Sequence, residues 1–390
     1  MAVKRALLYL LIIVILLGMM LAVALYIPSA LPARSDFSAL YNTTLALVNG
    51  VPIYDLDAVQ AVAMRASNVP SDKFFLARFP YPPWYALSVF YLGYLPAQNA
   101  ATLWFELNLV MLFTSVWLLT DGWDGRARLV AFPLGLFFLP VLGALSVGQY
   151  DFPALLGASL LIYSLRRENT ALTVFGMVLL TFKPHIGTLI LLAALGWLIG
   201  RRNDFGRRAL RGVLIACALL CILGFLADSK WILSYPALLL NYQGEGNVAS
   251  CSECASLPVF LSRWLLDGSL ASAARIALGI LLALIGIFIW SRNRLTKSPE
   301  SVLTFGLLAT LQVSPYLYNY DFLLLLIPFV VLAAGKMFFQ RAVVILSYAI
   351  PTAALLILGR DGNVFLILAA MALLWGIVGR SQKFCVGCAL

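Results

Sequence analysis

Residues 184–227 read PHIGTLILLAALGWLIG, RRNDFGRRALR and GVLIACALLCILGFLA, which is two apolar runs around a segment with five arginines. A helix needs roughly 17 to 25 apolar residues to cross a hydrocarbon core ~30 Å thick, and each run is near that length. Short connections rich in Lys and Arg resist translocation and stay cytoplasmic. This stretch therefore predicts two transmembrane helices joined on the inner side of a membrane.

The same alternation of apolar runs and charged breaks continues through the whole chain. The 390 residues are 62% hydrophobic and 11% charged, whereas soluble domains carry about 25% charged residues. We predict an all-α polytopic integral membrane protein with a single membrane domain over residues 1–390. The twelve predicted spans lie near 6–27, 98–120, 129–147, 151–165, 170–182, 184–200, 209–227, 271–291, 301–313, 321–335, 341–358 and 363–379.

The distribution of basic residues predicts the orientation. With both termini cytoplasmic, the inner segments hold 18 of the 27 Lys and Arg residues but only 5 of the 17 Asp and Glu residues. The net charge of +10 is spread between spans rather than gathered in one patch, which argues against a nucleic-acid partner. The first span follows Lys4 and Arg5 without a usual cleavage site, so we expect it to be retained in the membrane.

Two long segments, 29–83 and 228–270, fall on the outer side in this arrangement. Ser35 and Asp36 precede apolar residues spaced three to four apart, which predicts a capped juxtamembrane helix that ends near Gly50. The segment from Trp84 to Leu95 is too short to cross and lies among prolines, so we expect an interfacial helix there.

Ionisable residues near a bilayer are costly, and most of those in this chain gather in the outer turns. Together they predict a polar cleft on the extracytoplasmic side. The residues concerned are Asp36, Tyr41, Arg78, Tyr81, Gln149, Asp151, Lys183, His185, Tyr318, Asn319, Tyr320 and Asp321.

Several short motifs in these turns carry a resemblance. They are S-D-F-x-x-L-Y-x-x-x-x-A-L-x-x-G-x-P-I-Y-D over 35–55, F-P-Y-P-P-W over 79–84, Gly148-Gln149, Lys183-Pro184, and Ser314-Pro315 before Tyr318-Asn319-Tyr320-Asp321. In their order they resemble the GT-C superfamily of membrane glycosyltransferases, and most closely glycosyltransferase family 87, the polyprenol-phosphate-mannose-dependent α-mannosyltransferases.

The resemblance implies the GT-C fold and an inverting transfer of a hexose, with mannose favoured. The donor would be a polyprenyl-phosphate sugar, and the acceptor a lipid or glycan on the extracytoplasmic face. No metal or other cofactor is implied, because the phosphate is already a leaving group. A transporter or flippase of lipid-linked sugars is the alternative, and an oligosaccharide ligase or polymerase is a third.

The resemblance also implies roles for the polar residues. Asp36 matches the family's general base, because an acceptor hydroxyl must lose its proton as it attacks; the alternative is that it only caps a helix. Lys183, with Arg78 and His185, would bind the donor phosphate. Lys183 could instead extend to the interface, and His185 could satisfy a helix end.

The remaining candidates have weaker signals. Some relatives carry histidine where this chain has residues 314–321, so Asp321 could serve here as a second base. Tyr318 and Tyr320 of the same segment could stack on a sugar ring or form an interfacial aromatic belt. Gln149 and Asp151 would bind sugar hydroxyls or cap the next helix. Glu106 suggests a buried polar network. Two of the three cysteine pairs are C-x-x-C, a spacing that could hold a metal or a redox disulfide, but we interpret all three pairs as packing or incidental thiols.

Overall fold

The computed structural model describes residues 2–67, 76–240, 254–260, 279, 281, 298–314, 316–335 and 337–386. Within these ranges the chain is helical and contains no strand. The α-helices are α1 Ala2–Ala30, α2 Ser35–Val48, α3 Leu56–Ala66, α4 Pro83–Ser88, α5 Ala97–Leu119, α6 Gly125–Leu136, α7 Leu139–Val147, α8 Phe152–Arg166, α9 Thr170–Leu180, α10 Pro184–Gly200, α11 Asp204–Ala227, α12 Trp231–Leu240, α13 Pro299–Val313, α14 Leu326–Ala333, α15 Phe338–Leu358 and α16 Asn363–Val386. Short 3₁₀ helices cover Leu31–Ala33, Phe90–Tyr94, Asn319–Leu325 and Gly359–Gly362.

The helices agree with an all-α membrane protein. By length and apolar composition, three stretches of the described residues could cross a bilayer: Ala97–Leu119, Asp204–Ala227 and Phe338–Val378. The number rises to five if each of two bent helix pairs forms one span. Four further apolar helices are 10 to 17 residues long. The count of twelve spans stays a prediction, and the predicted span 271–291 lies almost wholly outside the described residues.

Two predicted helices are broken in the structure. The span predicted over 129–147 is two helices, α6 and α7, that meet at an angle of 54°. The predicted interfacial helix from Trp84 to Leu95 is instead the short α4 followed by a 3₁₀ turn. Gly93 in that turn lies so close to the backbone of Thr44 in α2 that a Cβ would not fit, and this close packing favours the tighter turn.

The short apolar helices pack closely through glycine. A Cβ on Gly157 of α8 would lie 2.7 Å from the carbonyl oxygen of Gly176 in α9, so the two backbones are in direct contact. Gly306 of α13 approaches Ala193 of α10 in the same way. Small residues at helix contacts are typical of membrane bundles, where close backbone approach replaces the hydrophobic drive between helices.

One end of the bundle carries exposed arginines, and we call it the arginine end. It comprises the start of α6, α9, α11 and α13 and the end of α5, α8 and α10. Arg166 pairs there with Glu300, which joins α8 to α13. Arg167 pairs with Asp121 at 2.8 Å, which joins the turn after α8 to the turn after α5.

We call the opposite end the site end, where α2 lies across the helix ends. Gly148 follows α7 with φ +70°, a conformation that glycine adopts without steric cost. A Cβ there would lie 2.8 Å from the Cβ of Phe37 in α2, so glycine also allows the close approach. The indole nitrogen of Trp104 in α5 donates to the Gly148 carbonyl at 2.9 Å. Helices α2, α5 and α7 therefore meet at this residue.

The start and end of α2 differ in how well the sequence predicted them. The helix begins at Ser35, and Arg34 occupies the cap position without a side-chain hydrogen bond, whereas the sequence predicted capping by Ser35 and Asp36; the Ser35 side chain lies outside what the structure describes. Asp36 lies in the first turn, where a carboxylate interacts favourably with the helix dipole. Gly50 follows the end of the helix with φ +68°, as the sequence predicted.

Candidate active site

The centre of the site end is a buried ion cluster. The Lys183 ammonium lies 2.6 Å from a carboxylate oxygen of Asp151 and 2.6 Å from one of Asp321. Lys183 is 2% exposed, Asp151 0% and Asp321 1%. We call these three residues the buried triad. Its formal charge is −1, since two carboxylates face one ammonium.

Three helices that are distant in sequence bring the triad together. Asp151 precedes α8, Lys183 precedes α10, and Asp321 lies in the 3₁₀ helix before α14. The other oxygen of Asp321 accepts the backbone N–H of Tyr318 at 2.6 Å, which fixes the turn. The Lys183 side chain does not extend to an interface, and Asp151 makes no capping bond, so both structural alternatives for these residues are wrong.

Asp36 lies close to the triad and is only half-buried. The Tyr150 hydroxyl donates to its backbone carbonyl, and Tyr150 directly precedes Asp151. Burial raises the pKa of the Tyr81 phenol well above its usual value, and the neighbouring Tyr150, Asp151 and Asp36 raise it further. Asp36 and the triad therefore border one shared region at the site end.

Aromatic rings form one wall of this region. Tyr81 and Tyr150 lie edge to face with centroids 4.8 Å apart, and Tyr85 stacks on Phe182 at 4.6 Å. The Tyr85 hydroxyl is buried, and no hydrogen-bond partner for it exists in the part of the chain that the structure describes. The second carboxyl oxygen of Asp151 is likewise buried and has no hydrogen-bond partner among the described residues. Groups of this kind can bind a hydroxyl or a water molecule.

A second aromatic group lies beside the triad. The rings of Tyr318 and Tyr320 stack with centroids 5.1 Å apart, and the Lys183 ammonium lies 5.5 Å from the centre of the Tyr320 ring. The His185 ring contacts Tyr316 edge to face at 5.9 Å. These tyrosines are half-buried against the site, which differs from an exposed belt.

The second long segment also contacts this aromatic group. Residues 254–260 of this segment place Cys254 and Val259 against Tyr316 and Tyr318. The backbone N–H of Ala255 donates to the Leu317 carbonyl at 2.6 Å. Cys254 is disulfide-bonded rather than a packing thiol. Cys251, Cys385 and Cys388 fall on residues whose side chains the structure does not describe.

Other predicted residues have local roles. The Tyr41 hydroxyl donates to the Leu95 carbonyl at 2.9 Å, and the Gln149 side-chain oxygen accepts the Tyr150 N–H at 2.8 Å. Arg78 is half-buried beside Phe79, and Asn319 begins the 3₁₀ helix of the site. Glu106 is exposed on α5, so the predicted buried network around it is wrong.

Sequence reasoning missed Tyr85 and Phe182 as parts of the site. The aromatic run F-P-Y-P-P-W-Y over 79–85 was a usable signal, since a buried tyrosine normally has a partner for its hydroxyl. Phe182 carries no such signal, because a phenylalanine in an apolar run is ordinary core.

Residues 79–315 match glycosyltransferase family 87, which is well over half of the chain. The chain belongs to glycosyltransferase family 87. Two residues of the triad, Asp151 and Lys183, fall inside the matched range, whereas Asp36 and Asp321 fall outside it. No curated protein and no solved structure matches the chain at a significant level. Membership makes the chain a glycosyltransferase with a sugar donor and an acceptor, and the GT-C fold stays a prediction.

Proposed function

We propose that this glycosyltransferase moves a hexose, with mannose favoured, from a polyprenyl-phosphate-sugar donor to a lipid or glycan acceptor, with inversion at the anomeric carbon. The observation that carries the proposal is the partly exposed Asp36 beside a buried, aromatic-lined ion cluster. The family assignment favours transfer over transport of lipid-linked sugars.

The proposed reaction needs one base and one leaving group. Asp36 removes the proton of the acceptor hydroxyl, whose oxygen then attacks the anomeric carbon. The bond from that carbon to the phosphate oxygen breaks, and the electron pair leaves with the polyprenyl phosphate. No metal or cofactor takes part in this scheme. Asp36 suits the role because the residue is partly exposed, whereas Asp151 and Asp321 are fully buried.

Lys183 has a different role in this proposal from the one its sequence position predicted. An ammonium group has three hydrogen-bond donors, and two of them face carboxylates here. The ammonium is buried and already contacts two carboxyl groups, which leaves little access for a donor phosphate. We infer that Lys183 is a positioning residue that holds the Asp321 carboxyl group through their 2.6 Å contact, and so keeps Tyr318 and Tyr320 in place for contact with the sugar.

The proposed reaction side is extracytoplasmic. The strong bias of Lys and Arg toward the arginine end supports a cytoplasmic location for that end, with both termini on the same side. The disulfide at Cys254 supports an oxidising compartment for the site end, because disulfides rarely persist in the cytosol.

The direct test is a transfer assay with purified protein, a synthetic polyprenyl-phosphate-mannose and a lipid acceptor. We expect Asp36→Asn to lower kcat by roughly 10²- to 10⁴-fold, the usual contribution of a general base, while donor binding is kept. Asp57→Asn is the matched control, because Asp57 is exposed on α3 of the same outer segment. Full activity of Asp36→Asn would overturn the assignment of the base. Failure of the wild type to transfer any polyprenyl-linked sugar would overturn the donor class.

A further inference from the structure

A groove of about 670 Å³ lies between α1, α7 and the end of α15. Its volume is in the range of sites that hold small molecules, ≈ 300–1,000 Å³. None of the residues already assigned to the reaction except Asn319 lines it. The groove is therefore a separate feature that meets the candidate site at one residue.

The lining of the groove changes from apolar to polar along its length. Ala22 and Leu139 lie toward the middle of the bundle, and Ser146, Asn319 and Arg360 lie at the site end. Leu139 and Ser146 are seven positions apart in sequence on α7, which corresponds to ~10 Å along the helix axis. This gradient matches a lipid whose chain lies in the hydrocarbon and whose anionic head faces the site end.

Arg360 supplies the cation at the polar end. It lies in the tight 3₁₀ turn Gly359–Gly362, where Gly359 has φ +57°. A Cβ on Gly362 would lie 2.6 Å from the Ala354 backbone, so the turn packs directly on α15. Asp361 follows in sequence but does not line the groove, so the charge that faces it is positive.

The polar end of the groove adjoins the reaction region. Asn319 lines the groove, and the next residue, Tyr320, carries the ring beside the Lys183 ammonium. From the other side, a Cβ on Gly143 would lie 3.8 Å from the Cβ of Tyr320. A phosphate held at Arg360 would thus lie at the margin of the site rather than against the buried triad, whose ammonium already contacts two carboxyl groups.

We propose that this groove binds the isoprenoid chain of the polyprenyl-phosphate lipid, with Arg360 as a ligand of its phosphate. The inference rests on the proposed function, since it assigns a place to the donor lipid of that reaction. It is favoured over binding by Lys183 because Arg360 is exposed, whereas the Lys183 ammonium is buried between two carboxylates.

The first test measures binding without turnover. Purified full-length protein is photolabelled with a polyprenyl phosphate that carries a diazirine in its chain, and labelled peptides are mapped by mass spectrometry. We expect labels on α1, α7 or α15, and competition by unlabelled polyprenyl phosphate. The polyprenol without phosphate should compete less well. Labels confined to other helices, or equal competition by phosphatidylglycerol, would overturn the proposal.

The second test removes the proposed phosphate ligand. Hydrogen bonds between charged groups contribute strongly to the free energy of binding. We therefore expect Arg360→Gln to weaken labelling and to raise the KM for the donor by roughly 10- to 100-fold, with a smaller change in kcat. Lys230→Gln is the matched control, an exposed cation at the same end of the bundle that does not line the groove. Equal effects of the two substitutions would overturn the role of Arg360.

The third test fills the groove. Gly143→Leu places a side chain among the lining residues, and Gly196→Leu places the same side chain in open space on the exposed face of α10. We expect only Gly143→Leu to reduce labelling, with both proteins retaining wild-type thermal stability within a few degrees. Normal labelling of Gly143→Leu would overturn the groove as the lipid site.

The outcomes separate this inference from the proposed function. Transfer of sugar with donor labels elsewhere would refute the groove and leave the reaction intact. Specific labelling of the groove in a protein that transfers no polyprenyl-linked sugar would refute the reaction and leave the lipid site intact.

Discussion

Replacing Lys183 by methionine is the sharpest test of the buried triad. Methionine fills a similar volume but carries no charge, so Asp151 and Asp321 would face each other without a cation. Removing one partner of a buried ion pair typically costs about 3–5 kcal/mol, because an uncompensated charge stays in a medium that solvates it poorly. We expect a loss of this size in the free energy of unfolding, which corresponds to a fall of roughly 10²- to 10⁴-fold in the folded-to-unfolded ratio.

The charge balance predicts an order among three variants. Asp151→Asn leaves one ammonium with one carboxylate and removes the net negative charge, so its cost should be smaller than that of Lys183→Met. Combining Lys183→Met with Asp151→Asn should recover part of the loss, because only one buried carboxylate then lacks a partner. Residues in one ion network commonly couple by 0.5–3 kcal/mol, and a double-mutant cycle measures that coupling.

Thermal unfolding in detergent, followed by size-exclusion chromatography after heating, gives the order of stabilities. Lys230→Met is the matched control, since Lys230 is exposed at the same end of the bundle. Wild-type stability of Lys183→Met would refute the inference that Lys183 is a buried, charged partner of two carboxylates. An Asp151→Asn variant less stable than Lys183→Met would refute the charge argument.

Three further predictions concern local structure. Gly148→Ala should destabilise the protein by roughly 1–3 kcal/mol in thermal unfolding, because Gly148 has a positive φ and contacts α2. Gly196→Ala is the control and should be neutral or slightly stabilising, because Gly196 faces open space on its helix. Tyr85→Phe should change the free energy of unfolding little or stabilise slightly, since the Tyr85 hydroxyl has no partner among the described residues. Tyr54→Phe should cost about 0.5–1.5 kcal/mol, because it loses the 2.7 Å hydrogen bond to the Tyr81 carbonyl. Melting curves of the two variants measured side by side would contradict this reasoning if Tyr85→Phe were the less stable. Cys254→Ser should lower the melting temperature, and reductant should no longer change the melting temperature of this variant. A reductant effect that persisted in Cys254→Ser would show that a different disulfide is responsible.

The sequence alone predicted the helical class and the residues that gather at the site. Apolar runs of the right length can only be helices in a bilayer, since every backbone group must find its partner within the segment. Charge asymmetry then predicted which turns share an end, and Asp36, Lys183 and Asp321 were predicted to face one cleft there; the structure places them close together, and their roles stay predictions. Glu106 was misjudged because spacing along a helix does not tell which face is buried.

The tertiary structure decided which groups touch. Lys183 was predicted to face a lipid phosphate, but α8, α10 and the turn before α14 converge and place two carboxylates at its ammonium. The break between α6 and α7 and the groove beside Arg360 also depend on packing between distant segments. A sequence records which residues can ionise and how far a helix can reach, whereas the distances between side chains on different helices arise only when those helices pack.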